Sequence, residues 1–413
     1  MIGIRALLVR NLTIQTISEA VTLACGLASA VLLSRHLGLA GYGVFTYAFA
    51  FTYFFLTLND LGLNTVAVRE ISREPARANE ILGSLLSLRI VLAGVVLAAA
   101  WITIHFWPME EPIRRPLAVF ALILPLTALN APGLIFQTAM RFELGAAAQV
   151  FTRVAGLAFM GVMALAGRGV TAMLGALLAA ELCGVLVIWL LAKRLVKVEW
   201  RVDINQWRLL LKASLPLAAG ILLASIVNRI DFIMLERMAS IEDVGLYGAA
   251  YRVTSMLEKF PLFVMSTLYP IMSRLAIDDV PRLREIYVRA LRRFAVVGVL
   301  VGVAVSILAP WLLSTVFGEP YRAAAPALRW LVVATVCLYL AMTGGNLLIA
   351  SGRARDNAVA LAVGAVTNAS LNLLLIPSRG IEGAALATAM SFAMVLVITI
   401  VAVERCFARG IRA

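Results

Sequence analysis

The chain is poor in most of what soluble chemistry uses. Charged residues make up 14% of its 413 positions, against about a quarter in an average soluble domain. The two histidines, His36 and His105, lie far apart, and Cys25, Cys183, Cys337 and Cys406 are scattered without a C-x-x-C or a Cys/His cluster. That spacing excludes a metal centre and a disulfide framework. There is no G-x-x-x-x-G-K-[ST] phosphate loop and no strand-borne G-x-G-x-x-G, which excludes a nucleotide-driven engine. Met1 to Arg10 leads straight into a full apolar stretch, so no cleavable signal peptide is expected.

What the chain has instead is apolar sequence, 62% of residues, spread over the whole length. This is the composition of an all-α polytopic membrane protein, in which helices satisfy the backbone where lipid cannot. The ~10-residue alternating segments of a membrane barrel are missing. Cutting at charge clusters and Gly/Pro turns gives twelve expected spans: 11–35, 42–63, 80–106, 116–139, 144–166, 170–192, 213–235, 244–272, 290–316, 325–349, 357–377 and 381–403. The long basic loop Lys193 to Lys212 divides them into two six-helix lobes, expected over 1–200 and 201–413.

Acidic residues are too few to balance the basic ones, and the formal net charge is +13. Twenty-three basic residues fall in the loops on the amino-terminal side and seven in the opposite loops. By the positive-inside rule this places both termini in the cytoplasm of a multi-pass plasma (inner) membrane protein. The same asymmetry accounts for the basic charge by topology and anionic headgroups rather than by nucleic acid.

The halves echo each other. Ser34-Arg35 with Gly43-Val44-Phe45 matches Glu236-Arg237 with Gly245-Leu246-Tyr247. Met140-Arg141 matches Gly352-Arg353, and Arg168-Gly169-Val170 matches Arg379-Gly380-Ile381, at offsets near 212. An even number of spans per half makes these parallel repeats, a design in which the substrate site lies between the halves.

Eleven ionisable groups fall inside the expected spans: Arg89, Arg153, Arg229, Arg252, Lys259, Arg329, Glu19, Asp60, Glu181, Asp231 and Glu258. Each costs roughly 2.5–3.5 kcal/mol at a helix centre, so most must pair, snorkel or face water. Arg252, Ser255 and Lys259 stand at i, i+3 and i+7, on one expected helical face. Arg229, with Asn228 and Asp231, sits at the depth of Arg252, and Lys259 is roughly 10 Å deeper. Three cations against Asp231 and Glu258 suit either capture of phosphate or carboxylate by arginine's planar fork, or a salt-bridge network between two helices.

Gln15, Ser18, Glu19, Thr22 and Ser29 form a polar stripe in the first span. Glu19 there suits substrate binding, a cation pair, uptake of H+ or Na+, or interhelical hydrogen bonding alone. Arg89 and Arg329 are expected to snorkel, Arg153 to pair with Glu181, and Asp60 to end a solvated helix. The aromatic run Phe45 to Phe55 is expected to face lipid, and Pro125, Pro132, Pro216, Pro261 and Pro270 to permit bends.

Leu33-Ser34-Arg35, Gly41-Tyr42-Gly43-Val44-Phe45, Asp60-Leu61-Gly62-Leu63 and Arg69-Glu70-Ile71-Ser72-Arg73 resemble the amino-terminal half of Wzx-like polysaccharide flippases of the MATE/MOP superfamily. The second half agrees through Arg229-Ile230-Asp231, Val244-Gly245-Leu246-Tyr247, Tyr269-Pro270, Ser351-Gly352-Arg353 and Gly380-Ile381-Glu382-Gly383. The resemblance implies two lobes around a central cavity and alternating access. It also implies a polyprenyl-pyrophosphate-linked oligosaccharide carried to the outer leaflet for cell-surface polysaccharide biosynthesis. It favours Arg229, Arg252 and Lys259, with Asn228 and Ser255, as substrate ligands. Glu19, Asp231 and Glu258 become coupling or orienting groups, and Arg89, Arg153 and Asp60 secondary ones. It implies no cofactor, coupling to H+ or Na+, and a glycan polymerase or glycosyltransferases as pathway partners. The competing function is a multidrug or cation antiporter of the same superfamily, for which a carboxylate-dominated cavity is expected. A membrane glycosyltransferase would need a sizeable outward loop, and the longest, Trp107 to Pro116, is short; an enzyme is not expected.

Overall fold

The computed structural model describes residues 2–408, with side chains from residue 10 onward except 12, 216, 217 and 219. Arg409 and Arg412 therefore lie outside the described residues, as do the side chains of Arg5 and Pro216. The helices are α1 (Ile2–Asp60), α2 (Leu63–Arg73), α3 (Ala78–Phe106), α4 (Glu111–Phe120), α5 (Ile123–Ala128), α6 (Leu134–Thr138), α7 (Phe142–Leu165), α8 (Val170–Ala192), α9 (Ile204–Met238), α10 (Ile241–Leu257), α11 (Lys259–Asp278), α12 (Val280–Phe317), α13 (Ala325–Ala350) and α14 (Ala354–Ala408). No strand occurs among the described residues.

Among the described residues, eight helical segments are long and apolar enough to cross a bilayer, or ten if two bent pairs each count as one. The shortfall from twelve falls at α1 and α14. These run 59 and 55 residues, and each is broken at a glycine outside helical geometry, Gly38 (φ 68°, ψ −170°) and Gly380 (φ 52°, ψ −129°). A straight helix of that length would approach three times the ~30 Å hydrocarbon thickness.

Proline shapes two of the expected spans. The stretch 116–139 is divided among α4, α5 and α6, with a 43° bend between Glu111–Ala128 and Ala131–Thr138, around Pro132. The stretch 244–272 is interrupted at Glu258, because Pro261 has no N–H to give the Leu257 carbonyl. Lys259 thus opens α11, one residue beyond the interruption, while Arg252 and Ser255 lie on α10. The aromatic run is also divided: Tyr47 and Phe51 are buried, and Phe49 and Tyr53 are exposed.

Two compact units result, Met1–Leu222 and Leu223–Ala413. The division falls beyond the expected 200/201 because the loop after α8 packs into the first unit. The Ser87 hydroxyl donates to the Arg201 carbonyl (2.6 Å) and accepts from the Trp207 indole N–H (3.2 Å), while Arg201 pairs with Glu80 at 2.9 Å. A Cβ on Gly83 would overlap the Glu199 carbonyl oxygen, so the close approach requires glycine there. Leu210 completes a core with Leu63, Val66, Leu85 and Leu86. In the second unit, Met265, Met272, Leu283, Tyr287, Phe294, Tyr339 and Leu347 form one core, and Val227, Ala334, Ala365, Ala389 and Phe392 another.

The internal repeat reaches the backbone. Met140 (φ 56°) and Gly352 (φ 74°) both close a helix in left-handed geometry. The following N–H of Arg141 reaches the Phe136 carbonyl at 2.7 Å, and that of Arg353 the Leu348 carbonyl at 2.8 Å. These are the same six-to-one helix stop.

Candidate functional site

In the second unit the carboxylate of Asp231, on α9, is 2% exposed. Tyr247 from α10 and Thr388 from α14 donate to its Oδ2, each at 2.6 Å, and Asn372 donates to Oδ1 at 2.5 Å. Asn368 stands behind, accepting from Asn372 (3.1 Å). Asn368 and Asn372 precede the Gly380 break of α14 and Thr388 comes after it, so a single side chain ties α9, α10 and both arms of α14. Unpaired at this depth a carboxylate would be prohibitive; with three direct donors it is held. Asn372 Oδ1 is buried with no hydrogen-bond partner.

Two residues earlier on α9, the Arg229 guanidinium lies 4.9 Å from the Tyr251 ring centroid and 5.8 Å from that of Phe232. Phe232 meets Tyr247 and Tyr251 edge-on, at 5.1 and 5.3 Å. Each such cation–π contact contributes about 0.5–2 kcal/mol. Glu258 interacts electrostatically with Arg229 and Lys259. A narrow cavity of ≈ 10 Å³, the space of about one water, is lined by Asn228, Asp231, Tyr251, Thr254, Glu258, Thr335 and Thr388. The structure thus brings together Asn228, Asp231 and Glu258, with Arg229 beside them on Tyr251. Arg252 is half-buried on α10, where the Ser255 hydroxyl donates to its carbonyl (2.9 Å), and Lys259 is exposed at the start of α11.

The first unit holds the other residues differently. Gln15, Ser18 and Glu19 of α1 line a hollow of ≈ 380 Å³ with Gln137 and Gln149. A neighbouring hollow of ≈ 290 Å³ shares Gly133, Phe136, Gly145 and Gln149 and reaches Thr152, Arg153 and Glu181. Glu181 accepts from the Asn130 amide at 2.8 Å rather than pairing with Arg153. Ser18 is buried and its hydroxyl has no hydrogen-bond partner. Arg89 does not snorkel: it is 5% exposed, donates to Asn64 Oδ1 at 2.9 Å and interacts electrostatically with Asp60. Asp60 ends α1 half-buried, next to a fully buried Asn59 whose amide donates to the Leu124 carbonyl (3.1 Å). Among the described residues no group of three or more His, Cys, Asp or Glu is placed to hold a metal ion.

A family model described as Polysaccharide biosynthesis protein matches residues 8–276, and one described as MatE matches residues 216–374. Among solved structures, the chain is similar to the lipid II flippase MurJ in an inward closed conformation (TM-score 0.80, 14% identity, over 94% of this chain and 87% of that one). It is similar to a multidrug resistance MATE family transporter of the MOP superfamily in its inward-facing conformation (TM-score 0.71, 15% identity, 94% and 95%). A MOP superfamily transporter from Pyrococcus furiosus, described by the reverse polarity of its binding pocket, is a third (TM-score 0.68, 16% identity, 98% and 96%). At these identities the likeness establishes the fold. The search of curated protein sequences returned no match.

Proposed function

The chain belongs to the polysaccharide biosynthesis protein family, and from that membership we propose that it is an alternating-access flippase. Its cargo is a polyprenyl-pyrophosphate-linked oligosaccharide, moved from the cytoplasmic to the outer leaflet of the inner membrane, with both termini cytoplasmic. The polymerase or glycosyltransferases of the same pathway supply and consume that cargo. The observation that carries the reading is the Arg229 guanidinium fixed on Tyr251 and Phe232, a cation at membrane depth whose polar edge suits a pyrophosphate. Arg252 and Lys259, on α10 and α11, extend the positive character, and Asn228 and Ser255 add amide and hydroxyl groups.

Coupling to H+ or Na+ is assigned to Asp231. Its surroundings supply one carboxylate, two amide oxygens and the Thr388 hydroxyl, and the orphaned Asn372 Oδ1 is an acceptor without a donor. One negative charge with neutral oxygens fits a proton or a monovalent cation; a divalent ion would call for more carboxylates. Glu258 orients Arg229, and Glu19 orients cargo in the first unit. Arg89, Arg153 and Asp60 have supporting roles.

The test is leaflet sidedness in cells lacking the protein. Lipid-linked glycan stranded on the cytoplasmic face, rescued by the wild-type chain and not by Arg229→Ala or Arg252→Ala, is the expected result. Unchanged sidedness with drug hypersensitivity would instead favour the antiporter that the MatE match allows. Flux that tracks a Na+ or proton gradient in wild type and loses that dependence in Asp231→Asn tests the coupling group.

A further inference from the structure

The amino-terminal third of α12 carries a basic face of its own. Pro281, Arg284, Glu285, Val288, Arg289, Arg292 and Arg293 repeat at three- and four-residue steps, so they share one side of the helix, and together they line a hollow of ≈ 610 Å³. Two of the four arginines are committed. Arg284 lies 5.6 Å from the Phe407 ring centroid and pairs with Glu404 at 3.2 Å, and Arg289 pairs with Glu285. Arg292 and Arg293 are exposed and form no ion pair among the described residues.

Beyond Arg293 the same face turns apolar. The steps run to Val296, Leu300, Val303, Ile307 and Trp311, each more than half exposed. Arg292 to Trp311 is nineteen residue steps, roughly 28 Å of helix, close to the ~30 Å hydrocarbon thickness. An exposed tryptophan at one end and exposed arginines at the other fix the depth: Trp311 at one interface, Arg292 and Arg293 at the headgroup level of the other. The charge asymmetry makes that second interface the cytoplasmic one.

We propose that Arg292 and Arg293 hold the phosphate of an anionic phospholipid of the inner leaflet, whose acyl chains lie along Val296, Leu300 and Val303. Two uncommitted guanidinium groups match an anionic phosphodiester, and the continuous apolar ladder matches chains still attached to it; a free phosphate would use only the first. A zwitterionic headgroup carries its own cation and gains nothing from the pair.

The full chain, purified in micelles with equal amounts of phosphatidylglycerol and phosphatidylcholine, is examined by native mass spectrometry. Near-surface arginines contribute about fivefold each, so wild type should retain phosphatidylglycerol at least several-fold over phosphatidylcholine. The double variant Arg292→Gln/Arg293→Gln should bring that ratio close to one. Arg322→Gln, at the other end of the span, should leave it unchanged, and so should Arg292→Lys/Arg293→Lys to within about a factor of three, which guards against a folding defect in the glutamine pair. No preference in wild type, or a preference that survives the glutamine pair, overturns the proposal. So does displacement of the lipid by millimolar inorganic phosphate, which would make the ladder irrelevant. Retention of farnesyl pyrophosphate in place of phosphatidylglycerol would assign the face to a polyprenyl carrier and overturn it equally.

Discussion

Glu19 and Asp231 are both carboxylates inside apolar helices, one in each unit, and their surroundings are opposite. Glu19 is exposed at the edge of a ≈ 380 Å³ hollow whose polar lining is mostly amide, Gln15, Gln137 and Gln149. Asp231 is enclosed by Tyr247, Thr388 and Asn372, beside a cavity of ≈ 10 Å³. A carboxylate removed from water is tolerable only when donors replace that water, so enclosure and a full set of donors come together. A carboxylate left wet needs none, and the polar groups around it remain available. The two units therefore hold the same kind of residue in opposite settings: Asp231 ties three helices together, and Glu19 borders open space.

The largest test of that contrast is to delete each carboxylate. Asp231→Ala removes the acceptor shared by three buried donors and should destabilise the protein by about 3 kcal/mol or more in denaturant titrations in mixed micelles. Glu19→Ala should stay within about 0.5 kcal/mol of wild type in the same titration. Equal losses would erase the distinction. A finer test removes one hydroxyl from each site: Thr388→Val should cost about 1–2 kcal/mol, whereas Ser18→Ala, whose hydroxyl has no partner, should cost nothing. The smallest concerns the turn the two halves share. Gly352→Ala, at φ 74°, should cost about 1 kcal/mol, and Met140→Gly, at φ 56°, should gain a few tenths. A loss on Met140→Gly would mean that its side chain packs well enough to outweigh the strain.

Ionic groups in apolar helices are conspicuous in sequence, and so Arg229, Asp231 and Glu258 are legible as candidates from the chain alone. Their partners are not. Asn372 and Thr388 lie 141 and 157 residues from Asp231, and uncharged polar residues in a span raise no alarm by themselves. Arg89 reads as a snorkelling residue because the acceptor that lets it stay buried, Asn64, belongs to another helix. The cation–π seat of Arg229 has a local sequence signal only in Phe232, three residues on; Tyr251 comes from the next helix. The repeat, by contrast, is visible at both levels, since a helix stop depends on a few adjacent residues.

The pinned segment after α8 has a practical consequence. Its length, charge and position midway along the chain make residues 193–203 look like the natural place for a fluorescent reporter, an epitope or a protease site. With the Glu199 carbonyl seated against Gly83 and the Arg201 carbonyl held by Ser87, the last part of that stretch is internal packing of the first unit. Foreign sequence placed at 199–203 would pry open the start of α3, so engineers should graft at Lys193 to Arg194, ahead of the fastened part.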